Sequence, residues 1–378
     1  MPHETLSTSL TLFLPGLLEL PAREPAELLV ADLRLPALQR LLARAEAIAV
    51  PTGGFEAALM SLFGCQVTEQ EDVPVAAVTR LVEDRGGEPR VMSLGATDGV
   101  EPSPGRHAGA EGDWWLRADP VHLRPDLAKL ILFDAGTFTL TDSEARALAA
   151  EVAPLFGEAG ATLEVRAATR WYLRLPGPLE LRVSPLSRVI GQDLREHRPQ
   201  GADARRWQVL LTEVQMTLFA STVNQDREAR GEPAVNSLWL WGGGPAPRLA
   251  PGGWAAVWSD DPLPAGLARL SGGRHRPGPA SFQAWTRESP GPGEHLVVDD
   301  RLLRAVRYGD VEAWRSGLEA LEEQWLAPLL GALEDRRLAA ATVLDGDGSG
   351  LRLGRGELRR WWRRPRPFAS HYARTPRG

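Results

Sequence analysis

Short apolar runs alternate with amphipathic helical patterns at both ends of the 378-residue chain, and most of these runs stop at a glycine or an aspartate. The runs are "LTLFLPG", "GWAAVWSDD", "EHLVVDD" and "LAAATVLD". Continuous apolar runs of this length are typical of buried strands. Strands that alternate with helices predict a mainly parallel sheet that is covered by helices. We therefore expect an α/β fold.

The pattern changes at Trp114, after which strand-like segments follow one another closely. Thr141 followed by Glu144 predicts a capping box at the start of a helix, and a long helix is expected over 203–230. We interpret this middle region as an inserted α+β domain. The predicted divisions are a first core segment (1–111), the inserted domain (112–234), a second core segment (235–351) and a basic tail (352–378). Long loops are expected in the glycine- and proline-rich stretches 86–112 and 242–293.

Composition excludes several classes of protein. The net charge of −6 gives the whole molecule no general attraction for nucleic acid or anionic lipid. Cys65 is the only cysteine, which excludes an intrachain disulfide and a cysteine metal cage. The chain starts without a signal-peptide pattern, and no apolar run reaches membrane length. We expect a cytoplasmic protein that has no membrane partner.

The segment "PTGGFEAALMSLFGC" (51–65) has the form of a loop that presents a reactive side chain. Two glycines free the backbone just before a predicted helix. The first helical position, however, is Phe55, and a phenyl ring cannot attack a substrate. Glu56 follows it as an acid in the first turn of the same helix.

Paired acids follow two of the predicted strands, as Asp260–Asp261 and Asp299–Asp300. In α/β proteins, ligands bind beyond the carboxyl ends of the strands, so these acids could hold a cation. A turn or a helix cap explains them equally well.

The segment "DGDGSG" (345–350) resembles the start of a calcium loop and begins with Asp345. Gly356 stands at the twelfth position, where such a loop needs a bidentate acid. A plain turn after a strand is therefore favoured. None of the seven histidines is singled out, because no two of them have the four-residue spacing that places zinc ligands on one helix face.

Two further segments could contact a ligand. The stretch "WGGGPAP" follows a predicted strand but lacks the lysine and hydroxyl residue of a phosphate loop. A flexible turn is favoured there, with a small-ligand contact as the alternative at Asn236, Trp241, Gly242 and Gly243. The C-terminal "RGELRRWWRRPRPF" mixes arginines with tryptophans, a combination that stacks on bases and neutralises phosphates. The alternative is that the tryptophans pack against the fold while the arginines remain solvated.

The ordered motifs "LRADPVHLRPD", "PLSRVIGQDL", "QGADARRWQVLLTEVQM" and "NSLWLWGGG" resemble the RpfE-type regulatory protein family nearly from end to end. A weaker resemblance connects the chain to the archaeal-type cofactor-independent phosphoglycerate mutases of the alkaline phosphatase superfamily. It is carried by "VNQDREARGEPAVNSLWLWGGG" and "GDVEAWRSGLEALEEQWLAPLLGALE". The second resemblance implies an alkaline-phosphatase-like two-metal α/β core that is interrupted by an inserted domain.

The same resemblance assigns functional positions that this chain does not fill. Phe55 stands in the place of the serine nucleophile, and Pro15-Gly16 replaces an Asp-Gly after the first strand. Metal-ligand positions fall at the residues Leu59, Leu303, Arg307 and Asp345-Gly346, and a late His-Thr motif is replaced within "GELRRWW". A phosphomutase needs its nucleophile and both metal ions, because the metals neutralise charge on the attacking and leaving oxygens.

The sequence therefore predicts a non-catalytic regulatory or binding protein on a degenerate phosphoglycerate mutase scaffold, with no catalytic residue, metal or cofactor. The expected partner is an unidentified protein or a small ligand. One alternative is an active metal-dependent mutase or phosphatase with a relocated site, and a second is a nucleic-acid-associated factor. The candidate vestigial cleft comprises Phe55, Glu56, Asp260, Asp261, Asp299, Asp300 and Asp345. The candidate tail for nucleic acid or a partner comprises Arg359, Arg360, Trp361, Trp362, Arg363 and Arg364.

Overall fold

The computed structural model of the protein describes most of the chain. The described residues are 8–21, 25–30, 32–50, 52–66, 73–83, 114–126, 129–288, 290–346 and 348–374. The loop predicted over 86–112 lies outside these ranges.

The strands of the described residues are β1 (Thr8–Phe13), β2 (Glu46–Ala49), β3 (Trp114–Asp126), β4 (Lys129–Asp134), β5 (Thr162–Ala167), β6 (Arg170–Leu175), β7 (Ser237–Gly244), β8 (Ala256–Trp258), β9 (His275–Arg276), β10 (Gly293–Val298), β11 (Ala340–Leu344) and β12 (Ser349–Gly354).

The α-helices of the described residues are α1 (Ala26–Val30), α2 (Pro36–Arg44), α3 (Phe55–Ser61), α4 (Val75–Glu83), α5 (Asp142–Glu158), α6 (Leu186–Val189), α7 (Ala204–Ala220), α8 (Thr222–Ala229), α9 (Pro262–Leu270), α10 (Phe282–Arg287), α11 (Arg301–Tyr308), α12 (Val311–Leu321), α13 (Ala327–Glu334) and α14 (Arg355–Leu358). A π-helical turn, Glu322–Leu326, joins α12 to α13 just before Pro328, which cannot donate a helical backbone hydrogen bond.

The chain divides into two compact units, one formed by Met1–Gln66 with Leu249–Gly378 and the other by Val67–Arg248. The described residues of the first unit form a seven-stranded sheet in the order β2-β12-β11-β1-β10-β8-β9. The pairs from β11 through β9 are parallel, and β12 and β2 join antiparallel at one edge. The predicted α/β class with a mainly parallel sheet is confirmed.

The two faces of this sheet differ in their packing. Leu10 and Leu12 of β1 point into the main apolar cluster, which also contains residues of α1, α2 and α10–α13. Ser9 and Thr11 alternate with these leucines and therefore lie on the other face, where they are half-buried. Among the described residues, the helices thus cover one face of the sheet more completely than the other.

The second unit contains an antiparallel sheet in which β3 pairs with β4 and β6 along one edge and with β7 along the other. The predicted bounds 235–351 place "NSLWLWGGG" in the second core segment, but the structure pairs it with the sheet of the second unit. The segment forms β7, which pairs antiparallel with residues 115–121 of β3. Helix α4 also packs on β3 and β7. The four-fold division of the chain itself stays a prediction.

Strand β2 lies at the sheet edge and is largely exposed. One local prediction needs correction. The long helix expected over 203–230 is broken at Ser221, whose backbone is extended. The Ser221 hydroxyl donates a hydrogen bond to Glu151 at 3.0 Å, which stabilises the break.

The predicted capping box at α5 is confirmed. The Glu144 amide donates to the Thr141 hydroxyl, and the Glu144 carboxylate accepts from the Thr141 amide. The same carboxylate pairs with the fully buried Arg227 at 3.2 Å and with Arg230 at 2.7 Å. Partial burial alone would raise the pKa of Glu144, but the hydrogen bonds from Thr141 and the two arginines outweigh it and lower the pKa to about 2.

This depressed pKa makes some of the stability depend on pH. Glu144 stabilises the fold fully above its unfolded pKa of about 4.3, and the contribution is lost as pH falls towards 2. We expect Glu144→Gln, which can still form the capping box, to lower the free energy of unfolding at pH 7 by about 1–3 kcal/mol.

The measurement is urea unfolding from pH 7 to pH 2, in which the difference between Glu144→Gln and the wild type should shrink below about pH 5. Asp142→Asn is the matched control, because Asp142 forms only an exposed pair with Arg146 in the same first turn. A difference for Glu144→Gln that stays constant over this pH range would contradict the prediction.

Candidate functional site

The parallel strands bring the predicted acids to one edge of the sheet. The strands β1, β8, β10 and β11 run in the same direction, so their carboxyl ends share this edge. Asp260 and Asp261 follow β8, Asp299 and Asp300 follow β10, and Asp345 follows β11. Ligands of α/β proteins bind at this position of the fold.

Phe55 lies at the same edge as the first residue of α3. Gly53 and Gly54 precede it with φ angles of +127° and +89°, which L side chains rarely adopt. The phenyl ring of Phe55 stacks on that of Phe13, at the end of β1, with centroids 5.7 Å apart and an interplanar angle of 17°. Phe55 is only 7% exposed. The loop therefore presents an apolar ring that is already packed against the end of the sheet.

Three of the edge acids have structural partners. Asp261 accepts a hydrogen bond from the Leu263 amide at 2.8 Å and caps α9. Asp260 accepts from the Gly278 amide at 2.9 Å. Asp299 pairs with Arg301 at 2.6 Å. The sequence was compatible with a cation site or with a turn or helix cap. The observed contacts are a helix cap, a turn and an ion pair.

The remaining acids of the candidate cleft, Glu56, Asp345 and Asp300, differ in their exposure and in their contacts. Glu56 is buried, and Asp345 accepts a hydrogen bond from the Ser349 amide at 3.3 Å in the turn between β11 and β12. That turn is the plain turn favoured for "DGDGSG", of which Asp347 lies outside the described residues. Desolvation by surrounding protein atoms, and then the charge of Asp299, raise the pKa of Asp300 above its usual value, although the residue is exposed.

The described residues of the candidate cleft do not fit a two-metal centre. Within the described ranges, no three histidine, cysteine, aspartate or glutamate side chains lie close enough to hold a metal ion. Two positions that the mutase resemblance assigns to metal ligands are the buried side chains Leu59 and Leu303. A third is Arg307, which forms an ion pair with Glu19 at 3.0 Å. Aliphatic side chains and a guanidinium cannot coordinate a cation.

The candidate ligand loop in the second unit is a strand rather than a flexible turn. Gly242 and Gly243 lie inside β7, and all residues of this strand are buried. The Asn236 amide binds the backbone of Leu123 in both directions, at 2.7 and 2.8 Å. The Trp241 indole donates to Asp119 at 2.7 Å. These polar groups hold β7 against β3.

Close packing by α4 explains the glycines of this segment. A Cβ atom on Gly242 would lie 3.1 Å from the Val75 side chain, and one on Gly244 would lie 2.8 Å from that of Pro74. Gly242 also has a φ of +69°. The flexible turn is therefore a wrong prediction, because the glycines allow a helix to approach the strand closely.

Sequence reasoning missed a buried ionic cluster beside Trp241. Arg117 donates to Asp119 at 2.7 Å, and its guanidinium lies over the rings of Tyr172 and Trp241 at 5.1 and 5.4 Å. Burial raises the pKa of Asp119, and the charge of Arg117 opposes this rise. The signal was the spacing of Arg117 and Asp119, since residues i and i+2 share one face of a strand.

The tryptophans of the C-terminal tail are exposed, which contradicts the alternative that they pack against the fold. Trp361 is 77% exposed and Trp362 is 63% exposed, so the tryptophans do not pack against the fold. The two indoles contact each other edge to face at 6.2 Å. The buried side chains of Leu358 and Phe368 anchor the segment at both ends. Its core-facing arginine, Arg360, donates to the Arg44 carbonyl and to Glu357.

Comparison with known proteins gives distant relatives. No protein-family model matches the chain. The chain is 28% identical over 166 residues to a probable 2,3-bisphosphoglycerate-independent phosphoglycerate mutase of Geobacter sulfurreducens, a match that covers 44% of this chain and 41% of the relative. It is 26% identical over 170 residues to a 2,3-bisphosphoglycerate-independent phosphoglycerate mutase of Methanothrix thermoacetophila, over 40% of this chain and 43% of the relative. The chain thus spans about two fifths of the length of the curated relatives it matches.

Matches among solved structures include a cofactor-independent phosphoglycerate mutase from Thermoplasma acidophilum, with a TM-score of 0.44 and 18% identity over 93% of this chain and 90% of that chain. A Pyrococcus horikoshii protein gives a TM-score of 0.47 and 13% identity over 92% of this chain and 87% of that chain. The sequence matches establish a distant similarity to cofactor-independent phosphoglycerate mutases. None of these comparisons concerns the RpfE-type family, so that resemblance stays a prediction.

The stacking of Phe55 on Phe13 can be tested through stability. Phe55→Ala removes a buried ring from the sheet edge, and we expect the free energy of unfolding to fall by about 3–5 kcal/mol in urea titrations. Phe219→Ala is the control, because Phe219 is 86% exposed and its truncation should cost less than about 0.5 kcal/mol. Equal stabilities of the two variants would show that the ring of Phe55 is not packed as described.

Proposed function

We propose that the protein is a non-catalytic binding or regulatory protein on a phosphoglycerate-mutase-like scaffold of the alkaline phosphatase type. The observation that carries this proposal is the place of Phe55. The mutase resemblance assigns a serine nucleophile to this position, and here a phenyl ring stacks on Phe13 at 5.7 Å. A phenyl ring has no lone pair with which to attack phosphorus.

The contacts of the edge acids support the same conclusion. Phosphoryl transfer through two metals requires carboxylates and imidazoles that converge on the ions. In this chain Asp261 caps a helix, Asp260 holds a turn, and Asp299 is neutralised by Arg301. These three acids stabilise local structure instead of converging on a metal. The sequence similarity to the curated mutases supports a shared scaffold for this chain. It does not support a shared activity.

The assay that tests this proposal is interconversion of 3- and 2-phosphoglycerate, coupled to enolase, with added manganese and zinc. We expect no turnover above the buffer rate from the wild type. Phe55→Ser should also remain inactive, because one hydroxyl cannot act without the metal ligands that this edge lacks among the described residues. A chelator-sensitive turnover by the wild type would contradict the proposal and favour the alternative of an active mutase with a relocated site.

The exposed tryptophans favour a second candidate function, the binding of single-stranded nucleic acid. Nine arginines and one acid, Glu357, lie between Arg352 and Arg377. Glu357 is already paired with Arg360 at 3.1 Å, which leaves the neighbouring guanidinium charges uncompensated by acids of the tail. Two exposed indoles amid arginines offer stacking faces for bases and charges for phosphates.

This candidate predicts that a fluorescein-labelled single-stranded oligonucleotide binds the protein with an affinity that falls steeply with salt. The double variant Trp361→Ala with Trp362→Ala should weaken binding by about tenfold or more, since stacking contributes about 1–3 kcal/mol per base. Phe219→Ala removes an equally exposed ring elsewhere and should have no effect. Binding only to anionic phospholipid vesicles, or an unchanged affinity of the double variant, would reject this function.

A further inference from the structure

The less covered face of the core sheet contains a cavity of about 300 Å³. Its floor is formed by Ser9 and Thr11 of β1 and by Thr342 of β11, and Trp254 closes one side. Central strands of parallel sheets are normally apolar on both faces, because helices cover both. Three hydroxyl side chains on neighbouring central strands therefore need a physical explanation. The volume falls at the lower end of the range for small-molecule sites.

The register of the strands places these hydroxyls side by side. Thr11 lies directly opposite Thr342 on the neighbouring strand, and Ser9 is two residues before Thr11 on the same face. Within the described residues of the chain, none of the three hydroxyls has a hydrogen-bond partner. The buried indole nitrogen of Trp254 likewise has no partner among the described residues. The half-buried hydroxyls can bond to water or to a ligand, whereas a buried indole nitrogen is costly unless a partner satisfies it.

Opposite charges lie at the two ends of this row. Arg352 of β12 is the cross-strand neighbour of Thr342, and Glu294 of β10 is the cross-strand neighbour of Ser9. Both side chains line the cavity and are exposed. The two strands are three strand spacings apart, or about 14 Å. Side chains that reach inwards from both ends leave room for a molecule of amino-acid to short-peptide size.

The guanidinium and the carboxylate are both available to a ligand. Glu46 lies directly across from Arg352, but the two do not form an ion pair in the described structure. Glu294 likewise has no ion-pair partner among the described residues. One arginine is well suited to a carboxylate, which it binds through two parallel hydrogen bonds. A dianionic phosphate ester would be repelled by Glu294 and would find no second cation among the residues that line the cavity.

We propose that this cavity binds a small zwitterion, a free amino acid or short peptide. The ligand carboxylate pairs with Arg352 and the ligand ammonium pairs with Glu294. Its remaining polar groups bind the hydroxyls of Ser9, Thr11 and Thr342. The ligand's apolar portion packs against Trp254 and Leu62, which also line the cavity. This site lies on the face of the sheet and does not depend on chemistry at its carboxyl edge. The proposal can therefore be tested independently of the function proposed above.

The probes are the twenty free L-amino acids and di- and triglycine, screened by thermal shift and then measured by calorimetry. At least one should bind with a dissociation constant of about 1 mM or lower. Arg352→Gln and Glu294→Gln should each weaken that probe by about tenfold or more. Arg355→Gln and Glu319→Gln are the matched controls, since they change exposed charges outside the cavity and should leave binding unchanged.

Chemically blocked probes separate the two ends of the site. The N-acetyl form of the bound amino acid should lose its sensitivity to Glu294→Gln, and the amide form should lose its sensitivity to Arg352→Gln. Thr342→Val, which is nearly isosteric, provides a further test that should preserve the fold. The proposal is overturned if no probe binds at about 1 mM. It is also overturned if a probe binds equally well to both charge variants, or if only sugar phosphates bind and do so independently of Glu294.

Discussion

The parallel pairing of β1 with β10 on one side and β11 on the other is the constraint on which the rest of the first unit depends. It sends the loops after three central strands to a single edge, so that Asp299 and Asp345 flank the end of β1. It also fixes which side chains of β1 meet the helices and which form the opposite face. The carboxyl edge and the polar cavity are both consequences of this one arrangement.

At the carboxyl edge, aromatic packing occupies the position where α/β proteins bind ligands. In this chain the end of β1 presents Phe13, and the helix that starts beside it presents Phe55. Two stacked phenyl rings supply no oxygen, nitrogen or sulfur ligand to a metal ion and no hydrogen-bond donor to a phosphate. The neighbouring acids are satisfied by backbone amides and by Arg301. Metal-dependent catalysis would need these carboxylates free to coordinate an ion. The observed contacts instead stabilise the local structure.

Sequence patterns predicted the features of the fold that depend on residues close together in the chain. The α/β class, the capping box of Thr141 and Glu144, and the helix that starts at Phe55 all follow from spacing within a few residues. The pairing of β7 with β3 could not be read in this way, because it joins segments more than a hundred residues apart. The exposure of Trp361 and Trp362 depends on the anchors at both ends of their loop rather than on their own apolarity. The cavity was missed because its hydroxyls come from two strands far apart in the chain.

Metal content tests directly whether aromatic and structural contacts occupy the sheet edge in place of a metal centre. The protein should be purified with added manganese and zinc, dialysed, and subjected to elemental analysis. We expect no stoichiometric metal, because Phe55, Leu59 and Leu303 offer no ligands and Asp260, Asp261 and Asp299 already have structural partners. Two tightly held ions per chain would contradict it and would show that a catalytic centre is assembled from other residues.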